Sequence, residues 1–527
     1  MTRVHTDPRV RAAYAEGGGI YRIIPTAVAI PETVTAVQEL VRQAERDGTP
    51  LIPRGAGSGM PGGNVGSGWV IDLSQSFRAL TIDPQRRSAT AGASVTWAQL
   101  DDAARAHGLR LPPDPSSGPF ATCGGMVSTN AAGPRTVRYG SVRPWVEGIE
   151  LVGTAGAVRW IKRGQGSGDR FALTTGDRQL ITQHFPRTRK HSSGYALDAF
   201  AASGDEVDLF VGAEGTLGIV TAVEWRLDPI PAAVAGLTLG FADLAALGEA
   251  VPFLLGLNPS AVELLDRTLL AFVARAGGDV PEGIEGLLLV EFERDQAAAA
   301  RGAVGDAVRG LKHLTHTVET APDRAGLEQL WKVRRLASPA LARLPETRRS
   351  LQVIEDGCVP VAQLGAYVSA IRAAAAAREI PVAIFGHAGD GHVHVNALPD
   401  VTQRGWEAGV RALFDEVTEA QRTLGGTPSG EHGIGRLRAG VLERFLGADV
   451  MRLFARLQRA YDPRSIFNPG VILPSADWSP LAHLKVGDGA APIPDDIAHR
   501  LRDIERNVGW AAPKHSLADH KPPATGH

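Results

Sequence analysis

Apolar residues recur along this chain at two periods, and the periods fall in blocks. Near the start, Val34, Val37, Leu40, Val41 and Ala44 form one stripe of a helix that opens after Pro31 and stops at Asp47-Gly48. Short apolar runs at 50–53 and 69–73 read as strands, and the stretch between them, 54–66, is rich in glycine. A dinucleotide fold of the helix-opening kind needs a helix directly after its glycines; here a strand follows. Two more stretches, 112–140 and 211–219, share this small-residue character. From about 231 the pattern changes. Strands at 237–241, 286–292 and 315–319 alternate with helices at 244–255 and 296–311. A second round runs through a strand at 351–355, a helix at 361–378, a His-rich hairpin at 385–396 and a helix at 406–424. Helices alternating with antiparallel strands predict an α+β unit resembling two ferredoxin-like halves. A helix at 449–461 closes the round. The chain is then polar and Pro-rich, with a helical pattern at 494–508 and a tail, 514–527, that reads as disordered. The expected units are 1–230, 231–475 and a C-terminal extension, 476–527.

Composition narrows the classes. The chain is 44% hydrophobic and 21% charged, as in soluble globular proteins. A net charge of −2 gives no electrostatic case for nucleic acid or an anionic membrane. There is neither an apolar signal segment nor a run long enough to span a bilayer. Cys123 and Cys358 stand far apart, which excludes a disulfide framework, a thiolate zinc site and a four-thiolate iron–sulfur cluster, and predicts a reducing, cytoplasmic setting. Glycine is abundant, with 61 residues, and one use for it is close backbone approach to a ligand. Three loops rich in backbone N–H groups and small hydroxyls suit a large phosphate-bearing cofactor. A helix starting near Gly124 and Gly125 would add its dipole.

Histidine is scarce, yet His387, His392 and His394 fall within eight residues. Asp390-Gly391 predicts a two-residue turn that sets His387 opposite His394, with Cβ atoms roughly 5 Å apart. Two imidazoles that close can share one metal ion. Strand alternation puts His392, His394 and Asn396 on one face. Glu431, beside His432 in a second Gly-punctuated stretch, is the best third ligand. Two His and one carboxylate with open positions make a catalytic centre, not a closed structural one. Zinc there would act as a Lewis acid on a bound oxygen, leaving His432 free to move a proton. Alone, this pattern also fits a metallohydrolase; the N-terminal loops argue against that. The basic run Arg187, Arg189, Lys190, His191 reads either as a docking patch for cofactor phosphate or electron acceptor, or as a solvated loop.

Taken together and in order, these motifs resemble known families. The 54–66 loop with Asp72-Leu73, Pro113 to Ser116, 124–130 and 212–218 resemble the PCMH-type FAD-binding domain of the vanillyl-alcohol-oxidase superfamily. The stretches 385–396 and 430–433 resemble the linked C-terminal domain of FAD-dependent D-2-hydroxyacid dehydrogenases: D-lactate dehydrogenases, glycolate oxidase flavin subunits and D-2-hydroxyglutarate dehydrogenases. The likeness covers roughly 20–472. It implies a two-lobed FAD-binding domain followed by an α+β cap with an antiparallel sheet.

The resemblance also implies roles for residues. FAD would lie on Arg54, Gly55, Gly57, Ser58, Gly59 and Gly62 of the first loop and on Pro113, Asp114 and Ser116. Gly124, Gly125, Ser128, Asn130, Gly133, Tyr139 and Gly140 would continue the site, as would Glu214, Gly215, Gly218, Ile219 and Asn468. His387, His394 and Glu431 would hold a divalent metal, zinc by expectation. Asn396 would contact substrate, His432 would be the catalytic base with His392 as its competitor, and Arg334 would clamp the substrate carboxylate with Arg335 as its rival. Three positions depart from the family. His392 stands where Asn is frequent, and Ile354 where some members carry a lysine for a second carboxylate. Ser58 replaces the histidine that links flavin covalently elsewhere, so FAD is expected to be non-covalent. The implied reaction oxidises a small D-2-hydroxy acid (D-lactate, D-2-hydroxyglutarate or glycolate type) by proton abstraction and hydride transfer. The electron acceptor stays open among quinone, electron-transfer flavoprotein, cytochrome and iron–sulfur subunit. A homodimer is expected, and a peripheral membrane contact is left open. The alternatives are a metal-independent flavin alcohol oxidase using oxygen, a metallohydrolase and a non-catalytic flavin-binding protein.

Overall fold

The computed structural model of the chain describes residues 3–166, 170–507 and 509–518. In it, the glycine-rich stretch joins two parallel strands, Leu51–Arg54 and Trp69–Asp72, with no helix between them. Ala27–Ala29 and Val4–His5 complete that sheet. The helix Val34–Asp47 packs Val37, Leu40, Val41 and Ala44 onto it, in one core with Leu51 and Ile71. The Thr33 hydroxyl caps its start, and Gly48 ends it in the left-handed conformation. A second, antiparallel sheet runs in the order Leu80–Asp83, Ser88–Gly92, Ile219–Arg226, Val146–Val152, Val158–Lys162. Val223, Trp225 and Ile149 centre its own core. These are the two lobes.

The later part is one seven-stranded antiparallel sheet. Its order is Thr317–Ala321, Ala233–Phe241, Gly286–Arg294, Ala261–Asp266, Val382–His387, His392–Ala397, Gly357–Cys358. The first four strands, with helices Leu244–Gly256 and Ala297–Leu311, follow the β-α-β-β-α-β path of a ferredoxin-like unit. The other three, with helices Leu364–Ala376 and Trp406–Thr423, repeat the path; their fourth strand is reduced to a bridge between Cys358 and Thr427. Pairing of Ala261–Asp266 with Val382–His387 joins the halves. The unbroken run Leu287 to Val290 is buried on both faces, which explains its lack of alternation.

The structure corrects several readings of this sheet. The pattern gives no strand at 261–266, yet one exists, with Glu263 paired across from His387. The strand expected at 315–319 lies at Thr317–Ala321. The segment 351–355 is not a strand; its backbone makes a single bridge to the sheet, from Leu351 to Ala397, and its Glu355 carbonyl meets the His394 ring. A regular strand would send Glu355 and Asp356 to opposite faces. The irregular path brings both to the histidines. The Asp390-Gly391 turn is not a two-residue hairpin either. Ala388–Asp390 makes a tight helical turn, Gly391 follows at φ 71°, and Phe385 stands opposite His394. The slip is two residues, so every side chain keeps its face. His387 and His394 still meet, their ring centroids 5.2 Å apart.

At the C-terminal end, the helix Asp495–Arg506 forms, while Val508 lies outside the described residues. Part of the tail expected to be disordered is ordered. His515–Leu517 is a helical turn and Lys514 is buried. Residues 519–527 lie outside the described residues. Among the described residues, no helix is long and apolar enough to cross a membrane. Both cysteines are free and buried.

Candidate active site

The three small-residue loops converge on one cavity of about 760 Å³. Arg54, Gly55, Gly57, Ser58 and Gly59 line it from the first loop, Asp114 and Ser116 from the second. Gly124, Gly125, Ser128 and Gly133 follow, then Glu214, Gly215 and Gly218. Among the described residues, the N–H groups of 55–60 donate no hydrogen bond within the protein. A run of unpaired donors on a cavity wall calls for anionic oxygens. Close approach is built in as well: a Cβ on Gly55 would lie 2.3 Å from Thr122 Oγ1, and Gly57 has φ 78°. The wall therefore fits the pyrophosphate of a dinucleotide.

Some residues expected on this wall have another task. The Arg54 guanidinium donates to the carbonyls of Tyr14, Glu16 and Asn64, so its charge is spent holding the N-terminal segment against the loop. Asn468 does not border the cavity; its Nδ2 donates to the carbonyls of Gly63 and Glu214, tying two lining loops together. Gly62, Pro113, Asn130, Tyr139, Gly140 and Ile219 are also off the wall. They shape the loops: Asn130 Oδ1 accepts from Ser141 and the Arg143 N–H, the Tyr139 hydroxyl donates to Glu293, and Gly62 fits under the Tyr21 ring.

The opposite wall carries the ionisable cluster. His387, His394, Asn396, Glu431, His432 and Arg334 all border the same cavity. His387 Nε2 lies 3.0 Å and His394 Nε2 3.4 Å from Glu431 Oε1. Each imidazole is oriented from behind, His387 Nδ1 by Glu263 Oε1 at 2.6 Å and His394 Nδ1 by the Glu355 carbonyl at 3.0 Å. That leaves both Nε2 atoms aimed at one point beside Oε1, a donor set with outer support that could hold a divalent metal. Burial alone would lower the His387 pKa; Glu263 and Glu431 outweigh it and raise it to about 9. Burial lowers that of His394. Burial would raise Glu431, but His387 and Lys190 hold its carboxyl well below the usual range.

His432 stacks on His394, ring centroids 5.0 Å apart, and its Nδ1 lies 2.5 Å from Glu355 Oε2. Arg438 holds the other oxygen of Glu355, also at 2.5 Å. Burial would depress the His432 pKa, yet Glu355 and Asp356 push it up to about 9; a divalent cation beside it would act in the opposite direction. His392 is corrected further. It is fully buried, does not border the cavity, and binds Asp356 Oδ1 through Nε2 at 2.8 Å. It is not placed to touch a substrate. Among the described residues its Nδ1 has no hydrogen-bond partner; it lies 4.0 Å from Glu431 Oε2.

Arg334 is buried, with Nε donating to Glu263 Oε2 at 2.9 Å and its guanidinium over the Phe385 ring. Its terminal nitrogens donate no hydrogen bond among the described residues. Arg335 is exposed and engaged with Glu328. Asn396 Oδ1 accepts from the Ser350 hydroxyl, leaving its Nδ2 as the free donor.

Sequence reasoning missed Glu355, Asp356 and Arg438, described above, and two further residues. Glu263 links Arg334 to His387, on a short strand, Ala261–Asp266, that is buried on both faces and so carries no alternation to announce it. Lys190 turns inward from the basic run while Arg187 and Arg189 stay exposed; its Nζ donates to Glu431 Oε2 at 2.7 Å. No local signal separates it from its neighbours.

Comparison with known proteins agrees with this geometry. Residues 25–162 match the model of the FAD binding domain, and 230–472 that of the FAD linked oxidases, C-terminal domain. The chain is 32% identical to the glycolate oxidase subunit GlcD of Bacillus subtilis (strain 168) over 85% of this chain and 89% of that protein. It is 30% identical to a D-lactate dehydrogenase of Archaeoglobus fulgidus, covering 84% and 90%. It is 29% identical to a D-2-hydroxyglutarate dehydrogenase of Xanthomonas citri pv. viticola, covering 86% and 90%. Among solved structures, the 4-ethylphenol oxidase of Gulosibacter chungangensis shares the fold, with a TM-score of 0.66 at 16% identity over 90% of this chain and 94% of that one. An alkyldihydroxyacetonephosphate synthase does so with a TM-score of 0.62 at 16% identity over 88% and 82%. A glycine-walled dinucleotide cavity, two family models spanning most of the chain and a near full-length relative above 30% identity lead to one conclusion: the chain belongs to the FAD-linked oxidase family and is an FAD-dependent oxidoreductase.

Proposed function

We propose that the chain oxidises a small D-2-hydroxy acid to the 2-oxo acid, using non-covalently held FAD and a divalent metal, zinc by preference, at His387, His394 and Glu431. One observation carries this reading: the flavin loops and the His/Glu cluster face each other across a single cavity. The names of the relatives, glycolate oxidase subunit and D-lactate and D-2-hydroxyglutarate dehydrogenases, support the substrate class. Bound FAD supplies a two-electron acceptor, and the bound metal a Lewis acid that lowers the pKa of the substrate hydroxyl.

The residues of the chain do the rest. Arg334 offers its terminal nitrogens to the substrate carboxylate, a charge-assisted contact suited to that planar group. Asn396 Nδ2 donates to a substrate oxygen. His432 takes the hydroxyl proton at Nε2, because Glu355 occupies Nδ1. Lys190 and Glu263 hold Glu431 and His387 in place. Ile354 is buried off the cavity wall, and Arg335, which borders the cavity too, is exposed and paired with Glu328, so the buried Arg334 is left to serve one carboxylate. That favours monocarboxylic acids such as D-lactate and glycolate.

The test is anaerobic mixing with a panel of D- and L-2-hydroxy acids while flavin absorbance is followed. Bleaching by D-lactate or glycolate, and none by L-lactate, is expected. Bleaching by phenolic or simple alcohols alone would overturn the reading.

A further inference from the structure

The extension beyond the family match contributes to the cavity. The match ends at residue 472, yet Glu505 and Trp510 border the cavity beside the glycine loop. Trp510 is only 8% exposed and packs with Ile504 against Ala56 of that loop and against Phe120. The Lys514 ammonium sits 5.3 Å from the Trp510 ring centroid and donates to the Trp510 and Ala512 carbonyls, fixing the turn that presents the indole.

The preceding helix is anchored on the other side of the cavity mouth. Arg502 reaches Glu346 at 2.8 Å and the Leu344 carbonyl at 3.0 Å, and Arg506 reaches Glu346 at 2.6 Å. Arg349 pairs with Glu505 at 3.0 Å. At the helix start, Asp496 pairs with Arg9 of the N-terminal helix. One short segment is thus pinned to the cap, to the N-terminus and to the flavin loop at once.

We propose that this segment is a cofactor-binding element that clasps the two walls of the cavity over FAD, with Trp510 in contact with the cofactor. The inference rests on the FAD reading above. A large apolar ring beside unpaired N–H donors excludes water from them, and charge-bearing hydrogen bonds strengthen when water is excluded. Anchors on both walls then make cofactor release depend on loosening the clasp.

The test is FAD release from the full-length holoprotein after dilution, followed by the rise of free-flavin fluorescence. Trp510→Ala should release FAD about tenfold faster, the loss of one well-packed aromatic contact, and Trp510→Phe should restore most of the retention. Glu346→Gln, which loosens the anchor on the cap without touching the cavity, should also speed release. It serves as the deciding variant if Trp510→Ala does not fold. Wild-type release rates in these variants overturn the clasp. A wild-type protein that retains no FAD overturns the cofactor reading itself.

Discussion

Lys190 Nζ lies 2.7 Å from Glu431 Oε2, so the oxygen that Glu431 turns toward His387 and His394 is Oε1. A buried ammonium behind a ligand carboxylate fixes which oxygen faces the ion. Removing such an outer partner costs about 10–100-fold in metal affinity. Lys190→Met should lose metal to a chelator at correspondingly lower concentration, with FAD content unchanged. Equal or tighter metal retention in that variant would show that Lys190 does not position Glu431.

In the proposed reaction His432 is the base. His432→Asn should retain FAD and metal yet lose turnover by about 100–10,000-fold, the usual worth of a general base. His392→Asn should behave differently. His392 does not reach the cavity, so its loss acts through Asp356 and the packing of the cluster. If His392→Asn removes turnover on that scale while His432→Asn stays active, the two roles are exchanged.

Arg334 and Arg335 are neighbours in sequence with opposite surroundings. Arg334→Ala removes a charge-assisted contact worth about 1.5–3 kcal/mol, which is roughly 10–150-fold in kcat/KM and should show mainly in KM. Arg335 makes a solvent-exposed pair with Glu328, a kind of contact that contributes at most about 1 kcal/mol. Its replacement by alanine should leave substrate affinity near wild type. The reverse pattern, in steady-state kinetics with the bleaching substrate, would shift the clamp by one residue.

Glu214 gives a stability prediction with a defined sign. It is buried, and burial raises its pKa from 4.5 to about 7, partly opposed by the Ile434 and Gly435 N–H groups that it accepts. A folded pKa above the unfolded one means that the neutral acid is favoured by the fold. Its contribution is therefore whole below about pH 4.5 and is lost as pH rises to about 7, by about 3 kcal/mol at most. Thermal unfolding of wild type and Glu214→Gln between pH 5 and 8 should show the variant gaining on the wild type as pH rises. A constant difference across that range would contradict the shift.

The parts of the site that were legible in the sequence are those written locally. His387, His394, Glu431 and His432 stand in two Gly-punctuated stretches whose spacing announces the chemistry. The glycine loops announce the cofactor wall in the same way. What escaped is what pairing decides. Glu263 meets His387 because two ferredoxin-like halves join edge to edge there, a register set by the sheet and not by either strand. Lys190 is one of four basic residues within five positions, and only packing selects it. The hairpin register was off by two because Gly391 adopts its left-handed turn after a helical residue, not within a two-residue loop. An error of two preserves faces, so His387 and His394 still meet; an error of one would have sent them apart.

The sequence separations inside the cluster carry a consequence for how the protein is made. Lys190 and Glu431 are 241 positions apart, and Glu214 and Gly435 are 221. Contacts of that span form late, after the long loops between them close. The N-terminal sheets wait as well: Ile466 and Phe467 complete the core around Leu51 and Ile71, and Asn468 ties two loops of the glycine-rich wall, so that wall is finished only after Glu431 and His432 have been made. Partial chains, whether nascent or prematurely ended, are thus catalytically silent toward hydroxy acids. The redox centre becomes competent only when synthesis has passed the last of its members.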